Sequence, residues 1–266
     1  MKKLLLILMT LLTAQINARP TYEFVSIANS VGNLMNTFQT PAINSDGKVV
    51  FLAQLPGVGA AVIAGDGSSA AQVLASTANG FTPKGQPVLN TTHAVFGANE
   101  GALVLDSLFS VPLASGSVTP LFQNVDGMMG LASPNALIMS DGTVYFSISG
   151  TPNQAVNFHR GKLLRTTTTG GLPSTVVDAS AIYSVQDPLG VVPTSGRLYF
   201  FAVQPSLVPS IHTTSINAGG GPGTRFFQPN RSINGAVSDT GILILSESLS
   251  INSSRIVRFS PSGKAN

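Results

Sequence analysis

The 266-residue chain contains no cysteine. That excludes disulfides, thiol catalysis, Cys-ligated metal and a lipid-modified amino-terminal Cys. Trp is absent too, and Tyr numbers 4: Tyr22, Tyr145, Tyr183 and Tyr199. Sugar-binding faces depend heavily on such rings, which weakens a lectin or glycosidase reading. Charged residues make up 9% of the chain, against about 25% in an ordinary globular protein. The formal net charge is +3, and Lys2 and Lys3 supply two of those charges. Nucleic acid and anionic membrane both need clustered Lys and Arg, so neither is an expected partner.

Metal and phosphate chemistry is equally thin. The three His residues, His93, His159 and His212, have no ligand spacing, so no metal and no cofactor is expected. Gly219-Gly220-Gly221-Pro222-Gly223 lacks the Gly-Lys-Ser/Thr ending of a phosphate loop and reads as a flexible connector. Asp66-Gly67-Ser68 lacks the further carboxylates of a calcium loop. There is no Gly-x-Ser-x-Gly elbow, so no nucleophilic serine is marked. Asn90-Thr91-Thr92, Asn230-Arg231-Ser232 and Asn252-Ser253-Ser254 are formal glycosylation sequons, read as silent beside a bacterial-type leader.

What is present begins with that leader. Met1-Lys2-Lys3 is basic, Leu4 to Leu12 is apolar, and Thr13 to Ala18 is polar and small. This pattern is a secretory signal peptide, with cleavage expected after Ala18. Nothing beyond Ala18 is long and apolar enough to span a bilayer as a helix. Residues 19–266 are then expected to form one domain, with 43% hydrophobic residues across the chain to build a core.

Pro41 to Ala53 organises the rest. Ser45-Asp46-Gly47 is turn chemistry between two strands, since Asp bonds local backbone and Gly accepts positive φ. After the turn, Val49, Phe51 and Ala53 face one way and Lys48, Val50 and Leu52 the other. A strand apolar on both faces is covered on both faces. Degenerate copies follow: Ser140-Asp141-Gly142 before Thr143–Ile148, Thr194-Ser195-Gly196 before Arg197–Ala202, and Asp239-Thr240-Gly241 before Ile242–Leu245. A worn copy, Pro87 to His93, is one residue shorter, has no Gly and leads into Ala94–Ala98. The anchors Phe51, Phe96, Phe146, Phe200 and Leu245 recur at spacings of 45, 50, 54 and 45 residues.

Each unit reads as strand a, turn, strand b, loop, strand c, turn, strand d. The c strands are expected at Ala60–Ala64, Ala102–Leu105, Lys162–Thr166, Ile211–Ser215 and Arg255–Phe259. The d strands are expected at Gln72–Ala75, Val118–Phe122, Thr175–Asp178 and Thr224–Phe227. The fifth unit has no d strand, while a spare strand, Tyr22–Ile27, precedes the first. The expected fold is therefore all-β: a five-bladed β-propeller of about five repeats, its ring closed by the N-terminal strand. Tandem β-sandwiches are the alternative.

Asn44-Ser45-Asp46-Gly47-Lys48-Val49-Val50-Phe51 resembles the Asn-x-x-Gly-x-x-x-Phe repeat of secreted bacterial tandem-repeat proteins. The copies at Gly142 and Gly196 keep Gly and Phe but carry Met139 and Pro193 in place of the Asn. The last copy carries Ser238 and Leu245. The resemblance implies a secreted, propeller-like protein and brings no activity with it.

Asp46, Asp141, Asp239 and Asp66 lie in turns and read as turn formers. Glu23, Glu100, Asp106, Asp126, Asp178, Asp187 and Glu247 remain, and none sits in a catalytic motif. No catalytic residue is assigned. The expected function is a secreted, periplasmic or extracellular, monomeric module that binds an unknown protein or glycan through its loops. A glycan-directed hydrolase using paired carboxylates is the alternative. Gly150 to Gly161 is the longest expected b-to-c loop, and Asn157, His159 and Arg160 within it are the candidate contact residues.

Overall fold

A computed structural model of the chain describes residues 26–27, 40–100, 107–114, 116–123, 130–153, 158–178, 184–203, 209–227, 233–238, 240, 242–250 and 253–259. Among these residues the secondary structure is strands, joined in two places by a single 3-10 turn. Five antiparallel sheets follow one another along the sequence.

The first sheet holds β1 (Ala42–Ile43), β2 (Val49–Leu55), β3 (Gly59–Gly65) and β4 (Gln72–Ser76). The second holds β5 (Phe81–Leu89), β6 (His93–Glu100), β7 (Ser107–Pro112) and β8 (Thr119–Phe122). The third holds β9 (Gly130–Ile138), β10 (Thr143–Asn153), β11 (Phe158–Thr167) and β12 (Ser174–Asp178). The fourth holds β13 (Ser184–Val192), β14 (Arg197–Val203), β15 (Pro209–Ser215) and β16 (Thr224–Phe227). The fifth has three strands among the described residues: β17 (Ile233–Val237), β18 (Leu243–Ser250) and β19 (Ser253–Phe259). Every sheet is ordered by sequence, a-b-c-d in the first four and a-b-c among the described residues of the fifth, so each a strand is an edge strand.

The a–b turns explain why the copies recur. Gly47 and Gly142 adopt φ of +76° and +85°. Asn44 donates to the Lys48 carbonyl and Met139 to that of Thr143, closing three-residue loops that end in a left-handed glycine. In the worn copy, Asn90 N–H donates to the His93 carbonyl across a two-residue loop, so no such glycine is needed.

The five anchors all lie on b strands, paired with Ile63, Phe109, Leu164, His212 and Val257 of the c strands. All five are buried, and burying each Phe ring is worth about 1.5–3 kcal/mol. The anchor face of each later sheet packs on the opposite face of the sheet before it. Phe96 meets Val50 and Leu52, Phe146 meets Val95, Phe200 meets Tyr145, and Leu245 meets Tyr199. This face-to-face stacking is why the b and c strands are apolar on both sides.

Several expectations need correcting. The second c strand is β7, Ser107–Pro112, rather than Ala102–Leu105, which lies outside the described residues. Strand β6 runs on to Glu100, so the chain returns later. The buried residues of the return strand are Leu108, Phe109 and Val111. The stretch Gly150 to Gly161 is not one long loop: β10 and β11 stay paired as far as Pro152↔His159 and Asn153↔Phe158. The connector at Gly219–Gly223 is not loose either. Gly220 bridges Val177 of β12 in parallel, and its N–H donates to the Val176 carbonyl. A Cβ on Gly223 would come within 2.7 Å of the Phe200 ring. Gly223 serves close approach, and Gly220 is tied to β12 with φ +95°. Of the expected closing strand, only Ser26 and Ile27 are described, and neither lies in a strand.

Candidate functional site: the inner edge of the sheets

The a strands pack against one another in series, β1 on β5, β5 on β9, β9 on β13 and β13 on β17. They form the edge where the sheets converge. Three of them are bulged. Pairing of β5 with β6 breaks between Lys84 and Val88, that of β13 with β14 between Val185 and Pro188, and that of β9 with β10 across Phe146 and Ile148. Each break holds a proline: Pro87, Pro188 and Pro134. An edge strand tolerates a missing N–H, and a bulge re-aims the side chains beside it.

The bulges place Lys84, Gln86, Gln186 and Asp187 on this inner edge. Gln86 is exposed, and the other three are half-buried. Lys84 Nζ donates to Asn99 Oδ1 at 2.8 Å, and burial lowers its pKa below the ordinary lysine value. One ammonium, one carboxylate and two amides form a rim suited to hydrogen bonding.

The carboxylates divide as follows. Thr143 N–H donates to Asp141 Oδ1 at 2.8 Å, and Ser45 Oγ to Asp46 Oδ1 at 3.2 Å. Ser68 donates its hydroxyl and its backbone N–H to Asp66 Oδ1, which holds that carboxyl below its ordinary pKa. Asp178 pairs with Lys162 at 2.9 Å, and Glu100 Oε2 accepts from Gln123 at 2.8 Å. Asp187 stands on the bulge of β13. Glu247 lies on β18 opposite Ile233 and Arg255. Glu23, Asp106, Asp126 and Asp239 lie outside the described residues. Among the described residues, no group of three His, Asp or Glu converges as a metal ion would need.

The histidines separate. His93 opens β6, and its Nδ1 lies 2.9 Å from Thr92 Oγ1, a local turn bond. His159 lies on β11 beside Arg160; Asn157 lies outside the described residues. His212 is buried mid-β15, with Nε2 3.0 Å from Ser210 Oγ. Burial is the main cause of its lowered pKa, with Arg225 adding to it and the Gly223 carbonyl opposing it. Asn90 is no glycan acceptor in this fold: its Nδ2 donates to the Met139 carbonyl at 3.0 Å.

Sequence reasoning missed Lys84, Gln86 and Gln186. The prolines in otherwise strand-like a segments were the signal, since proline within a strand pattern marks an edge or a bulge.

No family model matches the chain, and no curated protein matches it. Solved structures do. TolB from Acinetobacter baumannii matches with TM-score 0.58 and 13% identity over 86% of this chain and 53% of that one. The β-propeller domain of the Trilobed protease from Pyrococcus furiosus, which has an open velcro topology, matches with TM-score 0.60 and 10% identity over 86% of this chain and 68% of that one. An oligogalacturonate lyase from Vibrio parahaemolyticus matches with TM-score 0.56 and 11% identity over 82% of this chain and 61% of that one. The chain thus spans little more than half of the TolB and lyase chains. At these identities the likeness carries the fold alone: the chain is an all-β protein of β-propeller type.

Proposed function

We propose that the chain is a secreted, non-catalytic binding module on a five-bladed β-propeller, closed into a ring by its amino-terminal strand. Its partner is a protein or a glycan, held by the inner rim and the loops around it. The observation that carries this reading is where the described carboxylates are used. Asp46, Asp66 and Asp141 build turns, Asp178 pairs with Lys162, and Glu100 accepts from Gln123. Of the other two described carboxylates, Glu247 lies on β18 and Asp187 stands on the β13 bulge, near the amide and ammonium groups of the a strands. The β10–β11 hairpin, with Asn157, His159 and Arg160, is a second candidate contact. Secretion rests on the leader ending at Ala18. With so few charges, binding rests on hydrogen bonds and apolar area and changes little with salt.

The alternative is a glycan-directed hydrolase. It draws on Asp187 at the inner edge. The test is a binding and turnover screen of the mature chain against glycans and esters, repeated with Gln86→Ala, Gln186→Ala, His159→Ala and Asp187→Asn. Binding that weakens with rim or hairpin changes, without turnover, supports the module. Turnover that disappears with Asp187→Asn establishes the hydrolase instead.

A further inference from the structure

Two of the four filled seams between sheets share one polar contact. One residue past the anchor's partner on strand c, the first sheet carries Ala64, and the fourth carries Thr213, whose hydroxyl has no hydrogen-bond partner among the described residues. In the other two, a polar side chain at that position reaches the first carbonyl of the next sheet's c–d turn. In the second sheet it is Ser110, opposite Val95, whose Oγ donates to the Thr168 carbonyl. In the third it is Arg165, opposite Tyr145, whose Nη1 donates to the Ile216 carbonyl at 2.8 Å and lies 3.4 Å from Asn217 Oδ1. Thr168 and Ile216 hold the same place, just beyond Thr167 and Ser215, which pair with Thr143 and Arg197.

The fifth sheet carries Arg258 at this position, opposite Ile244. The face that bears it is open: Ile244 is 49% exposed and Ile256 77%. Their counterparts Val50 and Val62, Val95 and Leu108, Tyr145 and Leu163, and Tyr199 and Ile211 are all 8% exposed or less. Following the register, the matching turn carbonyl in the first sheet is that of Gly67. Asp66 stands immediately before it, across from Lys48 at 3.7 Å. A cationic side chain that would reach forward thus has a carboxylate-bearing turn as its counterpart. The amino-terminal segment is also placed on this side of the first sheet: Ile27 packs with Phe51 and Ile63, against Gly65 and Ala71.

We propose that the open face of the fifth sheet is the closing seam of the ring. Its occupant is the first sheet of the same chain, and Arg258 clasps the Gly67 carbonyl and the Asp66 carboxylate across it. The inference rests on the closed ring proposed above and adds the lock. The clasp is ionic and exposed, so salt loosens this seam more than the others.

The chain's lack of cysteine makes the test clean. Ser68→Cys and Arg258→Cys are combined in the full mature chain and treated with a thiol-specific linker about as long as an arginine side chain, near 7 Å. The expected product is a monomer linked within itself. A folded monomer that stays unlinked overturns the proposal, and linked dimers overturn it in favour of a second copy at the seam. A thermal double-mutant cycle of Asp66→Asn and Arg258→Gln is the second measurement. The double variant is expected to melt no lower than the worse single one, and additive losses overturn the clasp. Loss of partner binding with the internal link intact would count against the binding reading alone.

Discussion

The first two sheets close their a–b turns with an asparagine, and the last three do not. Asn44 Oδ1 accepts from the N–H groups of Asp46 and Lys48, while its Nδ2 donates to the Asn90 carbonyl of the next sheet. Asn90 repeats both contacts, accepting from Thr92 and His93 and donating to the Met139 carbonyl. One short amide thus shapes its own turn and fixes the next sheet. In the third sheet the turn is held by Asp141, which accepts from Thr143. In the fourth it is a 3-10 turn that starts at Pro193 and ends at Gly196 with φ +59°. In the fifth, Ser238 Oγ accepts from the Ile242 N–H. All three substitutes shape the turn, but none has a second arm for its neighbour. The repeat's Asn is therefore a polar joint between sheets, as its Phe is an apolar one, and its Gly serves the turn alone.

Removing the joint where it is buried should cost most. Asn90→Ala leaves the Thr92 and His93 N–H groups without their acceptor and the Met139 carbonyl without this donor, around a side chain that is itself buried. The expected loss is about 2–4 kcal/mol in urea unfolding. Asn90→Asp keeps the acceptor but aims a carboxylate oxygen at the Met139 carbonyl, so it should recover only part of that stability. A loss below about 1 kcal/mol in the alanine variant would show that the turn holds without the amide.

Asn44→Ala should cost less, about 1–2 kcal/mol, because Asn44 is only half-buried and water can replace part of what it loses. The comparison breaks if the two alanine variants are equally unstable. Burial would then not be what separates the two joints.

The turns show what the sequence made legible. Gly47, Gly142 and Gly196 and the anchors four residues beyond them marked three b strands, because positive φ and a buried ring leave residue-type signatures, and Phe96 and Leu245 at matching spacings marked the other two. The second β-like run beyond each turn also located β3, β11, β15 and β19. The second function of Asn44 and Asn90 left no local mark, since its acceptors lie 46 and 49 residues away. The bulges on β5, β9 and β13 were hidden for a related reason. They depend on register against a neighbouring strand, and only Pro87, Pro134 and Pro188 hint at them. The rim residues Lys84, Gln86 and Gln186 therefore went unread, whereas Asp187 was noted only as one carboxylate among seven. The order of the c–d connector at Gly219–Gly223 is illegible in the sequence because glycine serves both flexibility and close packing, and only the nearness of Phe200 to Gly223 and of Val177 to Gly220 decides which.

The smallest expected effect sharpens the comparison furthest. Ser238 already takes the Asn44 position in the fifth sheet, so Ser238→Asn keeps the Ile242 bond and adds the missing arm. In the first two sheets that arm reaches the carbonyl of the same-numbered turn position in the next sheet. For the fifth sheet of a closed ring, the next sheet is the first, and the carbonyl is that of Asn44, which already accepts from Gly47 and has a second lone pair. The gain should be about 0.5–1 kcal/mol, a modest net hydrogen bond at a half-exposed site. It should vanish in a Ser238→Asn, Asn44→Ala double variant only if Asn44 backbone placement depends on its own side chain, so the cleaner control is Ser238→Thr. Thr keeps the Ile242 acceptor and has no arm, and it should leave the unfolding midpoint where it was. A stabilised Asn variant beside an unchanged Thr variant ties the fifth sheet to the first. If both variants melt with the native chain, the arm finds no carbonyl, and the fifth sheet ends the row instead of closing it.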